Sequence, residues 1–424
     1  MRETLDAALE RISGTDEYVL NKLRETGSAW IVGGWVRDSL LGKNPDDMDI
    51  ATTLTPDQIK AIFPRSLMVG ASFGTAIVRL DDGMESDTEW QVTTLRNEGD
   101  YVDGRRPKVV NFLSTGGEYQ GILEDLGRRD FTINAMAIDS KGGLIDPYGG
   151  LEDLQTGTLK SVGLAEERFK EDGLRVLRAF RFLDSGDEGV RNMDSSLRDG
   201  ILTSTNFLSG VSKERIGMEM AKIMSGENVH GVTSIMASLG VLERVFDGLK
   251  ADFPPRLSNN HLVNLALLFR NHGGSGEDLS EILRGILVLP KNDLREISNM
   301  HDCRDLNIDA SMKSARRFMA VVPGHRKSMI MEYLEKSGTD IEDFDRALRD
   351  VALEEPIIDP LVNGEILANV TGLGPGPRLG RLKEWLHRKQ IEESVRTSGD
   401  VLSFLTEIDW EDSDYSTWES LKWP

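Results

Sequence analysis

The sequence predicts an α+β protein, with a mixed sheet in its first 150 residues and helices in the remainder. Before Gly150, segments rich in β-branched residues, such as 75–80 (TAIVRL) and 89–95 (EWQVTTL), are typical of strands and have few helices between them. After Gly150, apolar residues recur at helical spacing, as in 165–183 and 381–395. The pattern is interrupted near 185–192, 249–258 and 352–360.

The composition of the chain indicates its cellular location and which classes of protein are unfavourable. The 424 residues include a single cysteine, Cys303, so no internal disulfide forms, and a reducing cytoplasm is the expected location. The N-terminal segment is typical of an amphipathic helix rather than a signal peptide, and no apolar run approaches the ~20 residues of a membrane span. The net charge of −21 is unfavourable for nucleic-acid binding, although one face of an acidic protein can still be basic.

The first unusual segment is 31–53, IVGGWVRDSLLGKNPDDMDIATT. Its pattern predicts a strand that ends at Gly33-Gly34, a short helix that stops at Gly42, and a strand that carries Asp47 and Asp49. Further along, Thr55 and Pro56 predict the start of a helix, and 134–147 predicts a hairpin with its turn at 140–143.

Asp47 and Asp49 predict a cation site. Side chains at i and i+2 of a strand share a face, and two adjacent carboxylates disfavour joint ionisation unless a cation lies between them. Mg²⁺ prefers oxygen ligands and completes its shell with water and substrate phosphates. Free N–H groups at the helix that follows Gly33-Gly34 suit an anion, so the layout predicts phosphoryl or nucleotidyl transfer.

These motifs resemble those of bacterial-type (class II) CCA-adding tRNA nucleotidyltransferases and their poly(A) polymerase relatives. The first motif is 33–52, and the later ones follow in the family's order: GASFGTAIV (70–78), RRDFTINAMA (128–137), DPYGG (146–150), RFKEDGLRVLRAFRF (168–182), SKERIGMEMAKIM (212–224) and GLGPGPRLGRL (372–382). The resemblance implies a polymerase-β-like head at 1–150 and helical neck, body and tail at 151–225, 226–351 and 352–424.

The resemblance also implies an activity and a set of site residues. The activity is template-independent addition of CCA to the 3′ end of tRNA from CTP and ATP, with Mg²⁺ held by Asp47 and Asp49. Asp130 or Asn134 is expected to bind ribose hydroxyls, although an ordinary ion-pair cluster also fits that segment. The remaining residues expected near the nucleotide are Gly33, Gly34, Arg37, Arg128, Arg178 and Arg181, the last two of which could equally pair with nearby acidic residues.

Asp172 and Arg175 are expected to select the base. Both are predicted early on one helix, where positions i and i+3 share a face, and a simple helical salt bridge is the alternative. Cytosine and adenine each present an amino donor beside a ring-nitrogen acceptor, which an Asp/Arg pair complements. Guanine and uracil present the reverse pattern and would leave buried groups unpaired.

Several alternatives remain open at this stage. A poly(A) polymerase, a CC-only or A-only enzyme, and a catalytically silent RNA-binding relative all share parts of the pattern. The polar segment 96–112 corresponds to the family's flexible loop, and its presence favours addition of the terminal A. Gln91 stands where the family usually has a carboxylate, and Glu89 or Asp87 is a possible substitute.

Two further expectations concern the helical part. A metal-dependent phosphohydrolase is disfavoured, because His301-Asp302 is an isolated pair that we expect in a surface turn. The tail is expected to bind tRNA phosphates through cations on one helix, with a solvated helix face as the alternative; these are Arg378, Arg381, Lys383, Arg388 and Lys389.

Overall fold

A computed structural model describes residues 5–45, 47–69, 74–80, 89–98, 110–112, 118–254, 256–304, 306–357 and 359–423. The chain divides into two compact units, Met1–Leu249 and Lys250–Pro424. The division falls within 249–258, where the helical pattern of the sequence is interrupted. The finer boundaries between head, neck, body and tail remain predictions.

A mixed sheet forms the centre of the first unit, as predicted. Its spatial order is β3-β4-β5-β2-β1-β8-β9, and only the β2–β5 pair is parallel among the described pairings of this sheet. The strands of the unit are β1 Ala29–Val32, β2 Met48–Thr52, β3 Leu67–Val69, β4 Thr75–Val78, β5 Trp90–Thr94, β6 Arg96–Glu98, β7 Val110–Phe112, β8 Ala137–Ile138, β9 Leu144–Ile145, β10 Thr158–Leu159 and β11 Asn192–Met193.

The register of the central strands determines which side chains meet at the site. All four residues of β1 are buried, as expected for a strand inside the sheet between β2 and β8. Val32, the last residue of β1, pairs with Asp49, which in turn lies beside Gln91 of β5. The predicted hairpin is confirmed, since β8 and β9 pair antiparallel across residues 139–143.

Helices of the first unit begin largely where the sequence predicts. Thr55 caps one of them with a complete capping box and Pro56 at its first position. The helices are α1 Leu5–Leu9, α2 Gly14–Arg24, α3 Gly34–Leu40, α4 Pro56–Ile62, α5 Glu118–Gly127, α6 Gly150–Thr156, α7 Ala165–Glu171, α8 Leu174–Leu183, α9 Ser195–Ser204, α10 Lys213–Met224, α11 Val229–Ser238 and α12 Val241–Val245.

The helical pattern of 165–183 forms two helices, because the chain breaks between α7 and α8, and the predicted place of Asp172 on a helix is wrong. Asp172 has extended backbone angles (φ −150°, ψ 106°), and its carboxylate accepts a hydrogen bond from the N–H of Leu174. Gly173 follows, and a Cβ there would lie 2.4 Å from the carbonyl oxygen of Phe207. The close approach of this backbone, which only glycine permits, ends α7 before the amphipathic pattern does.

Within the described residues, helices supply the regular structure of the second unit. They are α13 His261–Leu268, α14 Gly276–Ile286, α15 Lys291–Asp302, α16 Met312–Val321, α17 Gly324–Lys336, α18 Glu342–Val351, α19 Gly364–Thr371, α20 Pro377–Glu392 and α21 Ser398–Ser403. One apolar cluster gathers Leu367, Leu382, Trp385 and Val401 from three of these helices. Across the described ranges, none of the helices has both the length and the apolar character needed to cross a bilayer.

The predicted surface turn at His301 is wrong. His301 lies inside α15 and is fully buried, with its Nε2 atom 3.2 Å from the carbonyl oxygen of Gly274. Leu294 and Ile297, seven and four residues earlier, share the buried face of this helix. In the part of the chain that is described, no group of three or more His, Cys, Asp or Glu side chains is placed to hold a metal ion.

Candidate active site

The turn after β1 brings three functional groups together. Gly33 has φ +73°, which favours glycine, and α3 begins at the next residue. A Cβ on Gly33 would lie 2.8 Å from Nη1 of Arg129 and 3.1 Å from Oδ2 of Asp49. Gly34 is less crowded, because a Cβ there would lie 3.7 Å from Nη2 of Arg37. Position 33 therefore requires glycine for two reasons: its backbone has a positive φ, and charged side chains occupy the space that a Cβ would need.

Asp47 and Asp49 differ in environment. Asp49 lies on β2 and is half-buried, whereas Asp47 is exposed and precedes the strand by one residue, which corrects its predicted place on the strand. Burial raises the pKa of Asp49, and the nearby carboxylate of Asp47 raises it further, against the opposing effects of Arg129 and Arg37. A bound cation would relieve this unfavourable charge, so the two aspartates fit a divalent metal of the Mg²⁺ type.

A third carboxylate is not placed beside them within the described residues. Gln91 is the register partner of Asp49, so an amide stands at the adjacent strand position. Glu89 accepts a 2.6 Å hydrogen bond from Nε of Arg79, which draws its carboxylate into an ion pair. The remaining candidate, Asp87, lies outside the described residues. The candidate metal ligands are therefore the two aspartates.

A buried hydrogen-bonded chain links the head to α8. Asp130, which is 7% exposed, accepts from Nε of Arg178 at 2.7 Å and from Nδ2 of Asn134 at 3.0 Å. Asn134 in turn accepts from Nη1 of Arg37 at 2.6 Å. Burial pushes the pKa of Asp130 up, but Arg178, Asn134 and the N–H of Phe131 outweigh it, so the pKa is lowered. Asp130 therefore stays ionised and holds the arginine in place.

Two further arginines of the same segment share one buried carboxylate. Arg128 donates from Nε to Asp125 at 3.0 Å, and Arg129 donates from Nη2 to the other oxygen at 3.2 Å. Arg129 also donates to the backbone carbonyl of Asn134. Asp125 on α5 thus positions both arginines. The sequence motifs did not identify Asp125, although it lies three residues before Arg128 and four before Arg129, a spacing at which opposite charges pair.

Asp172 and Arg175 do not pair with each other, which corrects the simple salt-bridge alternative. Asp172 accepts from Nη2 of Arg215 on α10 at 2.6 Å. Arg175 donates to Glu171 at 2.6 Å and to the carbonyl of Arg128 at 2.8 Å. Their shared helical face is also wrong, since Asp172 lies in the α7–α8 junction.

Arg178 and Arg181 each have an acidic partner, as the alternative interpretation held. Arg178 binds Asp130, and Arg181 donates from Nε to Glu219 at 2.5 Å. Glu219 and Arg215 both lie on α10 within 212–224, a matched motif in which neither was assigned a role. Phe182 was also missed, although the guanidiniums of Arg178 and Arg181 lie over its ring.

The tail helix α20 uses most of its cations internally. Arg378 donates to the backbone carbonyls of Trp410, Glu411 and Ser413, so it anchors the following segment and leaves the predicted phosphate-binding set. Three others form ion pairs with carboxylates: Arg381 with Glu384, Arg388 with Glu392, and Lys389 with Glu407. The half-exposed Lys383 is the only member of the set without such a partner in the described residues.

The comparison with known families places the head in a class of enzyme. Residues 29–160 match the family described as the Poly A polymerase head domain. This range contains the Gly33-Gly34 turn, both aspartates and the Asp130 network. Fold and site together define a nucleotidyltransferase.

Relatives that match most of the chain specify the family. The CCA-adding enzyme of Streptococcus sanguinis strain SK36 is 33% identical over 402 residues, covering 87% of this chain and 91% of the relative. The CCA-adding enzyme of Lactococcus lactis subsp. cremoris strain MG1363 is also 33% identical, covering 92% and 94%. The chain belongs to the family of CCA-adding enzymes.

Solved structures show the same fold. The crystal structure of the Bacillus stearothermophilus CCA-adding enzyme in complex with CTP is similar with a TM-score of 0.73 and 26% identity, over 92% of this chain and 95% of that one. The Thermotoga maritima CCA-adding enzyme complexed with tRNA_CCA has a TM-score of 0.64 at 21% identity, over 96% and 98%. The polymerase-β-like head with its helical continuation, predicted from the sequence, is confirmed at the level of fold.

Proposed function

We propose that this chain adds the nucleotides C, C and A to the 3′ end of tRNA, using CTP and ATP and releasing pyrophosphate. The observation that carries the proposal is the likeness to CCA-adding enzymes over nine-tenths of the length of these relatives. The site agrees with it, because paired carboxylates beside a glycine turn and an arginine cluster suit nucleotidyl transfer. A poly(A) polymerase is not favoured, since the relatives named above are CCA-adding enzymes.

Asp47 and Asp49 are proposed as the ligands of Mg²⁺. The fit rests on the half-buried carboxylate of Asp49, whose pKa is raised by burial and by Asp47. When bound, Mg²⁺ supplies Lewis-acid stabilisation of phosphate oxygens and favours ionisation of the attacking 3′-hydroxyl. The chain's own contribution is to hold the carboxylate of Asp49 next to the Gly33 turn, where the positive charge of Arg129 opposes the rise in its pKa.

The arginine cluster is proposed to bind the triphosphate. Arg37 has both Asp38 and Asn134 as partners, which fix its guanidinium close to the Gly33-Gly34 turn. The turn itself and Arg128 are proposed to approach the same phosphates. Asn134 accepts a hydrogen bond from Arg37 and donates one to Asp130, and Asn134 or Asp130 is proposed to orient the ribose. Guanidinium groups bind phosphate oxygens through two parallel donors, which fixes geometry as well as charge.

Asp172 and Arg175 are proposed to select the base. An Asp oxygen accepts from the exocyclic amino group of cytosine or adenine, and an Arg donor faces the ring nitrogen. Without a nucleotide, Asp172 accepts from Arg215 and Arg175 donates to Glu171, so a bound base must exchange or share these partners. Guanine and uracil would place acceptor against acceptor and donor against donor, at a cost of about 1–3 kcal/mol for each unpaired buried group.

The decisive experiment supplies tRNA that lacks CCA together with labelled CTP or ATP. Wild-type protein is expected to incorporate both, whereas Asp49→Asn loses more than about 100-fold in rate because it replaces a proposed metal ligand. Arg175→Ala is expected to admit GTP and UTP, with the exposed Arg198→Ala as its matched control. Retained exclusion of GTP and UTP by Arg175→Ala contradicts the base-selection proposal, and full activity of Asp49→Asn contradicts the metal site.

A further inference from the structure

Three guanidinium groups converge on the ring of Phe182. The Cζ atoms of Arg181, Arg37 and Arg178 lie 4.1, 5.1 and 5.3 Å from the ring centroid. Arg37 comes from α3 of the sheet-containing region, while Arg178 and Arg181 precede Phe182 on α8. The ring is therefore the common contact of cations from two separate parts of the first unit.

Simple packing does not account for this arrangement. Three like charges repel one another, and each needs a compensating group. At its other side each arginine has an acidic partner, namely Asp38 for Arg37, Asp130 for Arg178 and Glu219 for Arg181. These three carboxylates are separate and do not bring the arginines together. Phe182 does, because the negative face of its π-system attracts all three cations toward one ring.

The ring itself is held rigidly. Phe182 is 8% exposed, and its ring contacts that of Phe131 in an edge-to-face arrangement at 5.6 Å and 68°. Phe131 is fully buried and directly follows Asp130, the carboxylate partner of Arg178. The position of the ring is thus tied to the same segment that carries the ion pairs.

The cluster adjoins the candidate active site. The positive charge of Arg37 acts to lower the pKa of Asp49, so the two side chains are near each other. The Nη2 atom of Arg37 also lies 3.7 Å from a Cβ built on Gly34. Arg37 therefore connects this cluster to the Gly33-Gly34 turn, at which the triphosphate is proposed to bind.

We propose that Phe182 is a positioning residue for the triphosphate of the incoming nucleotide, acting as a cation–π platform that aligns Arg37, Arg178 and Arg181. This inference rests on the proposed function, and it adds a residue that makes no phosphate contact of its own. The platform holds the three guanidiniums at fixed separations before the nucleotide arrives. Binding then needs no further ordering of long side chains, which otherwise costs free energy on association.

The test compares variants that distinguish the contribution of the aromatic ring of Phe182 from that of its apolar volume. Phe182→Leu and Phe182→Met keep an apolar side chain but remove the ring, while Phe182→Tyr keeps the ring. Phe180→Leu is the matched control, because Phe180 is fully buried on the same helix and, among the described residues, has no guanidinium over its ring. Melting temperatures identify any variant that does not fold, and the Met variant replaces the Leu variant in that case.

Two measurements are made with each variant. The first is KM and kcat for CTP on tRNA lacking CCA, and the second is the calorimetric Kd of inorganic tripolyphosphate with Mg²⁺ and no tRNA. Phe182→Leu is expected to raise both KM and Kd about 10-fold, equivalent to about 1.4 kcal/mol, with kcat changed less than about 2-fold, in line with loss of uniform binding. Phe182→Tyr is expected to match the wild type.

The outcomes distinguish this inference from the proposed function. If Phe182→Leu or Phe182→Met binds tripolyphosphate as tightly as Phe182→Tyr, or no more weakly than Phe180→Leu, the platform is overturned. If the wild type binds tripolyphosphate with the predicted dependence on the ring but adds no nucleotide to tRNA, the platform stands and the proposed function fails.

Discussion

At the scale of single residues, the half-buried carboxylate of Asp49 is held at an energetic cost. Burial and the neighbouring Asp47 both disfavour its ionised form, so the pKa of Asp49 is raised in the folded protein. A group with a raised folded pKa favours the folded state below its unfolded pKa and loses that contribution as the pH rises through the folded value. Once ionised, Asp49 therefore opposes folding.

Asp49→Asn is expected to raise the melting temperature at pH 7 while it abolishes incorporation. The amide has nearly the same shape but needs no ionisation, so the difference from the wild type should shrink as the pH falls and Asp49 becomes protonated. Asp47→Asn is the comparison variant, since it removes the smaller of the two causes from an exposed position and should raise the melting temperature less than Asp49→Asn. An Asp49→Asn protein that melts below the wild type at pH 7 contradicts the assigned cost.

The pKa of Asp130 is shifted in the opposite direction to that of Asp49. Its pKa is lowered because Arg178, Asn134 and the Phe131 N–H outweigh its burial, so its contribution to stability is present above its unfolded pKa and lost in acid. Asp130→Asn leaves Arg178 without its charge partner and is expected to cost about 3 kcal/mol of unfolding free energy at pH 7. The cost should decline toward low pH, as measured by urea titration.

Asp199→Asn provides the control for that measurement. Asp199 lies on α9 with an exposed side chain, so this change should be nearly neutral. Equal losses in both variants, or a loss for Asp130→Asn that does not depend on pH, would show that the Asp130–Arg178 pair lacks the role given to it.

At the scale of elements, the α7–α8 junction places Asp172. Gly173 approaches the backbone of Phe207 so closely that a Cβ would lie 2.4 Å from its oxygen and 2.7 Å from its carbonyl carbon. Because backbone atoms cannot rotate away, Gly173→Ala must displace the junction, and we expect a loss of about 1–3 kcal/mol of unfolding free energy. Gly210→Ala, which meets nothing within 4 Å, should cost far less.

The same substitution tests whether the junction matters for the reaction. Displacement of Asp172 from Arg215 is expected to weaken the selection against GTP and UTP in the Gly173→Ala protein, as measured by single-nucleotide incorporation at a temperature where the variant is folded. If Gly173→Ala excludes GTP and UTP as strongly as Gly210→Ala does, the α7–α8 junction has no role in base selection.

Elements were predictable from the sequence where local pattern and tertiary structure agree. The capped start of α4 and the β8–β9 hairpin follow from turn and capping residues alone. The break at Gly173 did not follow, because the apolar period of α7 continues into α8 and the reason for the break is a backbone 34 residues away, that of Phe207. His301 was misplaced for a different reason, since the polar Asn299 and the charged Asp302 beside it suggested an exposed segment, whereas it lies on the buried face of α15.

The motifs predicted which residues of the candidate site lie near one another, but not their pairings, and their roles in the reaction remain proposals. Asp49, Arg37 and Asp130 are brought together as the motifs implied. Their partners on distant elements, such as Arg215 for Asp172 and Phe182 for Arg37, depend on how helices pack and left no local signal. The polar segment 96–112 is described only at its ends, where β6 and β7 pair, and its predicted tip lies outside the described residues.

At the scale of the whole molecule, a net charge of −21 limits how tRNA can be held. Most cations of α20 are paired with carboxylates in the second unit, which leaves Lys383 as the clearest candidate for a phosphate contact. Lys383→Ala is expected to weaken tRNA binding and to reduce the slope of log K against log salt by about 1. The exposed Arg349→Ala on α18 serves as control, being paired with Asp345.

A salt titration of the wild type accompanies this measurement. A steep linear decrease of log K with log salt is expected if phosphates are neutralised by basic side chains. A flat wild-type slope, or equal slopes for the Lys383→Ala and wild-type proteins, contradicts a phosphate contact at that position.

The measurement that bears most directly on the central claim is sequencing of the 3′ ends produced from tRNA lacking CCA, with all four nucleoside triphosphates present at equal concentration. A nucleotidyltransferase whose own side chains select C and A should yield tRNA that ends in CCA, with no G or U inserted and no further extension. Tails of many A residues, products that stop at CC, or insertion of G and U would contradict it.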